Sequence, residues 1–152
     1  MGHLYDQDLV LWSEQQAREL RAAAGAGWNV PIDWENVAEE IESLGRSERH
    51  ALSSHIGTVI EHLLKLEVSP SIAPARGWRE TVRRARREIA RLLKGSPSLA
   101  REVPAMVAEE LGSARSLVRA SLEDSGEQPR VGLDTVAYGE EQVLGDWFPE
   151  TK

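Results

Sequence analysis

Apolar residues recur along this chain at the spacing of one helical face almost from end to end. The first predicted helix runs roughly over residues 6–24, with Leu9, Trp12, Leu20 and Ala23 on one stripe and Tyr5 just ahead of it. Gly25 and Gly27 end it, since glycine readily adopts the left-handed conformation after a helix C-terminus, and Pro31 stops any continuation. Asp33 is the expected N-cap of a second helix whose buried face is Trp34, Val37, Ala38, Ile41 and Leu44. Gly45 leaves two readings open: a stop with a restart at Ser47, or a helix that runs through. From Ser47 to Glu67, one face collects Leu52, Ile56, Val59, Ile60, Leu63 and Leu66.

Residues 68–77 contain two prolines and are not expected to be helical. A fourth helix follows over about 78–94, with Trp78, Val82, Ala85, Ile89, Leu92 and Leu93 inward, and Gly95 closes it. Ser96-Pro97 reads as an N-cap followed by proline at the first helical position. The helix it opens continues to about Glu123, with Val107, Leu111, Ala114, Leu117, Val118 and Ser121 inward, and is kinked or restarted at Pro104. Residues 124–138 read as a polar loop, 140–144 as a short helix, and Trp147-Phe148-Pro149 as an apolar tail. No repeat at solenoid periods is present. The expectation is a single all-α domain over residues 1–152, a helical bundle of four long helices with a short additional helix.

Charge changes the picture more than composition does. The net charge is -7, yet residues 76–94 hold eight bases against two acids, while residues 1–45 hold nine acids against two bases. The chain has no cysteine, which excludes disulfides, thiolate metal sites and cysteine nucleophiles together. No apolar run approaches the ~18 residues of a membrane span, and the acidic N-terminal stretch with Asp6 and Asp8 is no secretory signal. A soluble, cytoplasmic protein without membrane contact is expected.

Several stretches together carry a resemblance. They are Tyr5-Asp6-Gln7-Asp8 with Trp12, the sixteen residues from Asp33 to Glu48, His62-Leu63-Leu64-Lys65, and Trp78-Arg79 with Thr81, Arg86-Arg87 and Ile89. Ser96-Pro97-Ser98-Leu99 and Glu141-Gln142-Val143-Leu144 complete the set. The chain thereby resembles a bacterial family known only as domain of unknown function 29. Leu66, where members often carry an aromatic, and the loop 68–76, which lacks the family's arginine-rich character, depart from the pattern. The resemblance implies an all-α domain and no reaction.

The basic helix is the clearest candidate surface. Arg76, Arg79, Arg83, Arg86, Arg87 and Lys94 fan along one flank of its apolar stripe, with Arg79, Arg83, Arg86 and Arg87 the candidate site, and guanidinium groups offer planar bidentate donors to carboxylates and phosphates. They either pair with the acidic second and fifth helices or face a partner protein, a phosphate or nucleic acid. Nucleic acid through 76–94 is disfavoured by the acidic total and by the lack of stacking aromatics on that face.

A second candidate is polar and lies at the border of the core: Glu40, Glu42, His62 and Glu110. Border carboxylates can act as bases or bind cations, but they more commonly serve as salt-bridged edges. His55 and His62, seven residues apart, sit about 10.5 Å apart along a helix axis, too far for one metal. Neither H-E-x-x-H nor a di-iron Glu-x-x-His spacing is present, so no metal or other cofactor is expected. A single metal on His62 with Glu40 or Glu110, serving a hydrolase or anion binder, is the alternative reading. Of five tryptophans, Trp12, Trp34 and Trp78 are expected in the core, with Trp28 and Trp147 besides. With no nucleophile elbow and no glycine-rich phosphate loop, the sequence favours an interaction or regulatory protein over an enzyme. Its partner would be another protein or a second copy.

Overall fold

Asp8 decides where the first long helix begins. Its carboxylate accepts from the Leu11 amide at 2.9 Å, so it caps a helix that the sequence pattern starts three residues too early. A computed structural model describes residues 3–27 and 30–150; Trp28 lies outside the described residues. The elements are α1 (Leu4–Gln7), α2 (Leu9–Gly25), α3 (Trp34–Val68), α4 (Ala75–Gly95), α5 (Val103–Ser125) and α6 (Glu140–Leu144). Two 3-10 turns occupy Pro97–Glu102 and Leu133–Thr135, and no strand occurs among the described residues. The chain is all-α, with four long helices. It divides into two compact units, one made of residues 1–51 with 92–100, the other of 52–91 with 101–152.

In the first unit, small residues set the contacts. The buried positions of α2 are Val10, Ser13 and Ala17, not the expected stripe of Leu9, Trp12, Leu20 and Ala23, which stays half-exposed. The reason lies opposite, at Gly45. A Cβ there would fall 2.7 Å from the Ser13 hydroxyl oxygen, so bare backbone of α3 meets the smallest face of α2. That approach explains why α3 runs through Gly45 without a break. The Ser13 hydroxyl is itself satisfied by donating to the Val10 carbonyl at 2.8 Å. Asp33 does cap α3, accepting from the Asn36 amide at 3.3 Å. Of the expected α3 face, Ala38 is fully buried, whereas Val37 and Leu44 are exposed.

The start of α2 is tied to the 96–98 turn of the same unit. Asp8 accepts from the Ser98 amide at 2.7 Å and the Ser98 hydroxyl at 3.0 Å, and Val10 donates its amide to the buried Ser96 hydroxyl at 3.2 Å. Burial raises the Asp8 pKa, but these donors with Leu11 outweigh it and hold the carboxyl below the ordinary value. The acidic face of α3 is matched within this unit. Arg21 reaches Glu35 at 3.2 Å and Glu42 at 2.5 Å, and Arg46 reaches Glu39 at 2.6 Å.

In the second unit the expected stripe of α3, Leu52, Ile56, Val59, Ile60, Leu63 and Leu66, is buried throughout. It packs with Val82, Ala85 and Ile89 of α4 and Val107, Ala114 and Val118 of α5 as one core. On α5 the stripe drifts from the expected one: Leu122 is buried, while Ser121 and Leu117 are exposed. Pro104 sits in the first two positions of α5, so the restart is the outcome there. The helix ends on Gly126 at φ 66°, with the Glu127 amide donating to the Leu122 carbonyl at 2.9 Å, the paired bonds of a Schellman end. Residues 124–138 are not simply a polar loop, because Leu133, Val136 and Tyr138 are buried. The Arg130 amide anchors the segment on the Val68 carbonyl at 2.7 Å.

Three variants test this packing and capping, Gly45 and Asp8 in the first unit and Gly112 in the second. Gly45→Ala is expected to lose about 1–3 kcal/mol by overpacking against Ser13, despite the better helix propensity of alanine. Gly112→Ala, whose Cβ would meet nothing within 4 Å, should instead gain up to about 1 kcal/mol in the same urea titration. Asp8→Asn should lower the urea midpoint at about pH 7. Because the folded Asp8 pKa is depressed, its contribution is complete above the unfolded value of about 3.9 and fades as pH falls through the folded value. The wild-type advantage should therefore shrink below about pH 4; a pH-independent gap would contradict the assignment.

Candidate binding surface on helix α4

Eight bases lie within residues 76–94, and their neighbours sort them into distinct sets. Arg76 and Arg91 are matched on α4 itself, by Glu80 at 3.4 Å and Glu88 at 2.9 Å. Arg86 turns inward. It is 9% exposed and has no carboxylate within ion-pair distance among the described residues; three backbone carbonyls take its charge instead. Its Nε donates to Val143 O at 2.9 Å, and one Nη donates to Gln142 O at 2.7 Å and Trp147 O at 2.6 Å. Those carbonyls belong to α6 and the tail behind it, where a short helix leaves its last acceptors without intrahelical partners.

The tail is thus docked on its own unit. The Phe148 ring lies 4.8 Å from the Arg86 guanidinium carbon and 5.2 Å from that of Arg83, and Trp147 packs on Tyr138 at 5.7 Å between centroids. Tyr138 in turn donates to Glu67 at 2.6 Å; burial first, and this bond second, push the phenol pKa well above its ordinary value. Burial likewise lowers the Arg86 pKa, with Asp146 acting against the fall and Arg83 adding to it.

Five bases are left over, Arg84 and Lys94 among them, and the other three share a ridge. Arg79, Arg83 and Arg87 stand at i, i+4 and i+8, one ridge about 12 Å long at 1.5 Å per residue. None of the three has a carboxylate partner among the described residues, and Arg83 and Arg87 are exposed. Arg83, Arg86 and Arg87 line an open hollow of about 600 Å³ that Phe148, Leu144 and Asp146 complete. Like charges at i, i+4 repel, so this ridge is held in place at some cost to the helix.

The four sequence candidates, Arg79, Arg83, Arg86 and Arg87, therefore separate: three form the ridge and Arg86 is the tail's anchor. The expected pairing with the acidic helices gives way to other partners. Glu35, Glu39 and Glu42 are taken by Arg21 and Arg46, and Glu110 accepts from the Ser53 hydroxyl at 2.9 Å.

The polar candidates at the core border divide between the units: Glu40 and Glu42 belong to the first, His62 and Glu110 to the second. Glu40 is exposed, and Glu42 is held below the usual carboxylate range first by its hydrogen bond from Arg21. His62 Nδ1 lies 2.8 Å from the Thr58 carbonyl one turn back. Glu110 rests on Gly57, where a Cβ would come within 2.5 Å of its carboxylate. Among the described residues no group of three His, Asp or Glu side chains is placed to hold a metal ion. Trp12 meets Tyr5 edge-on at 4.9 Å, and the buried Trp34 indole N–H has no partner. Sequence reasoning missed the anchoring role of Arg86; the signal was its place between core residues Ala85 and Ile89.

The model of the family described as "Domain of unknown function DUF29" matches residues 4–148. A crystal structure of an alpha-helical protein of unknown function from Rhodospirillum rubrum is 26% identical, with a TM-score of 0.80, covering 98% of this chain and 94% of that one. No curated protein matches. Among the described residues no helix is long and apolar enough to cross a membrane.

Replacing Arg86 tests its role directly. Arg86→Met keeps the length of the side chain and strands three carbonyls, and should cost about 2–4 kcal/mol. Near-ultraviolet circular dichroism should show loss of the Trp147 and Tyr138 environment. Arg83→Met and Arg87→Met should each change stability by no more than about 0.5 kcal/mol.

Proposed function

This chain belongs to the DUF29 family, for which no reaction is described, and we propose that it is an interaction protein whose α4 arginine ridge grips an acidic protein partner. The observation that carries the reading is the Arg79, Arg83, Arg87 ridge, none of whose guanidinium groups has a carboxylate within ion-pair distance among the described residues. A helix that spends stability on three uncompensated guanidinium groups has a use for them outside its own core. Planar donors repeated at one-turn intervals match carboxylates similarly spaced on a helix or an extended acidic segment. Phe148, already beside Arg83, supplies an apolar surface next to the middle of the ridge. The partner is an acidic protein rather than a nucleic acid, because nucleic-acid binders usually present a basic domain, whereas here the net charge is -7 and the excess positive charge is confined to residues 76–94, enough to match a short acidic segment. A second copy, presenting one of its own acidic surfaces, is the self-association form of the same reading. The lack of cysteine suits a reducing compartment, so the cytoplasm is the proposed place of action.

The test is co-purification of the tagged protein from its native cells at low salt, repeated with Arg83→Glu/Arg87→Glu. The expected result is a stoichiometric protein with an acidic contact segment, released by salt and weakened at least about tenfold by the double reversal. Recovery of nucleic acid instead, or a partner indifferent to both salt and the reversal, would overturn the proposal.

A further inference from the structure

A second hollow, separate from the arginine ridge, lies where the C-terminal end of α3, the start of α4 and the end of α5 meet within the second unit. It encloses about 240 Å³, and Trp78 forms one wall. At roughly 30 Å³ per water, that is room for about eight waters, less than a drug-sized pocket and enough for a small polar molecule.

Its polar lining is built rather than incidental. Gly126, in the left-handed conformation, turns the chain so that Glu127 follows the end of α5 directly and enters the hollow. There its two carboxylate oxygens accept from Ser69 Oγ at 3.1 Å and Ser71 Oγ at 2.5 Å. Ser69 is 3% exposed, and its hydroxyl oxygen also accepts from the Ser71 amide at 3.1 Å, so the carboxylate is held by a fixed frame. Lys65 brings an ammonium group that is already paired with Glu61 at 2.8 Å. Ser121 and Ser125 complete the rim with hydroxyl groups that have no hydrogen-bond partner among the described residues.

We propose that this hollow binds a small neutral polyol, of the size of a cyclitol or monosaccharide. The chemistry selects that class by elimination. A phosphate or carboxylate would face Glu127, and the nearby Lys65 charge is already spent on Glu61. An organic cation would find both oxygens of Glu127 already engaged by hydroxyl groups. What stays available is mixed: remaining lone pairs on Glu127 that accept, remaining N–H groups on Lys65 that donate, and the hydroxyls of Ser121 and Ser125 that do both. A ligand whose own hydroxyls both donate and accept satisfies such a set. Its C–H face can lie against the indole of Trp78, whose apolar body and polar edge suit a half-wet wall. The site lies apart from the ridge, and its occupancy does not depend on the interaction reading.

The probes are myo-inositol and D-glucose, titrated into uniformly nitrogen-15-labelled full-length protein and followed by two-dimensional NMR. The Trp78 indole signal is assigned with Trp78→Phe. The expected result is a saturable shift of that indole and of the Ser69 and Ser71 amides for at least one probe. Ser121→Leu, which fills the hollow and cuts no internal hydrogen bond, should weaken the binding at least about tenfold. Glu127→Gln should weaken it by a similar factor; Ser121→Leu keeps the test valid if Glu127→Gln unfolds. Several results would overturn the proposal: no shift with either probe, linear shifts that are equal in wild type and Ser121→Leu, or saturable shifts of these signals with inorganic phosphate, glycine or choline in place of the polyols.

Discussion

A guanidinium group inside a protein must be surrounded by acceptors, and much of the second unit is arranged around meeting that demand for Arg86. Losing water costs a charge several kcal/mol, and here backbone carbonyls rather than a carboxylate make good the loss. Three carbonyls can converge on one side chain only if α6 ends where it does and the chain after it turns back over α4. Phe148 then lies across the guanidinium, and Trp147 reaches Tyr138, whose hydroxyl is fixed on Glu67 of α3. The demand of one buried charge thus accounts for the short helix, the docked tail and the exposed hollow beside them. It also separates α4 into an inner arginine and an outer ridge, a separation that a count of bases in the sequence hides.

A different constraint governs the first unit. Its contact between α2 and α3 is set by how near two backbones can come, not by how much apolar surface they carry. Ser13 and Gly45 meet where larger residues would hold the helices apart. Small-residue faces look weakly amphipathic in a sequence, because their burial comes with little hydrophobic contrast. That is why the stripe of Leu9, Trp12 and Leu20 drew attention while Val10, Ser13 and Ala17 are the buried set. The same reasoning accounts for Val37 and Leu44, which periodicity alone places inward and which stand exposed.

The legible parts of the chain are those where one local rule dominates. Asp33 as a cap, the α3 stripe from Leu52 to Leu66, the proline-rich break after Val68 and the short helix at 140–144 all follow from spacing and capping chemistry. The burial of Leu133, Val136 and Tyr138 was hidden because these residues are held by tertiary bonds, including one from Arg115 to the Val136 carbonyl, and lie among polar neighbours in the sequence. For the candidate site, helical spacing puts Arg79, Arg83 and Arg87 on one ridge, but it does not show that Arg86 meets carbonyls 56 to 61 residues away. The acidic residues of α3 look in sequence like partners for the basic helix, yet Arg21 and Arg46 meet them first.

The central claim is this division of the α4 arginines, and arginine-selective labelling tests it most directly. The folded protein would be treated with phenylglyoxal and the extent of modification at each arginine followed by peptide mass spectrometry. The account predicts rapid modification of Arg83 and Arg87, and protection of Arg86 until the protein is unfolded. Modification of Arg86 as fast as its neighbours, with the fold intact, would contradict it.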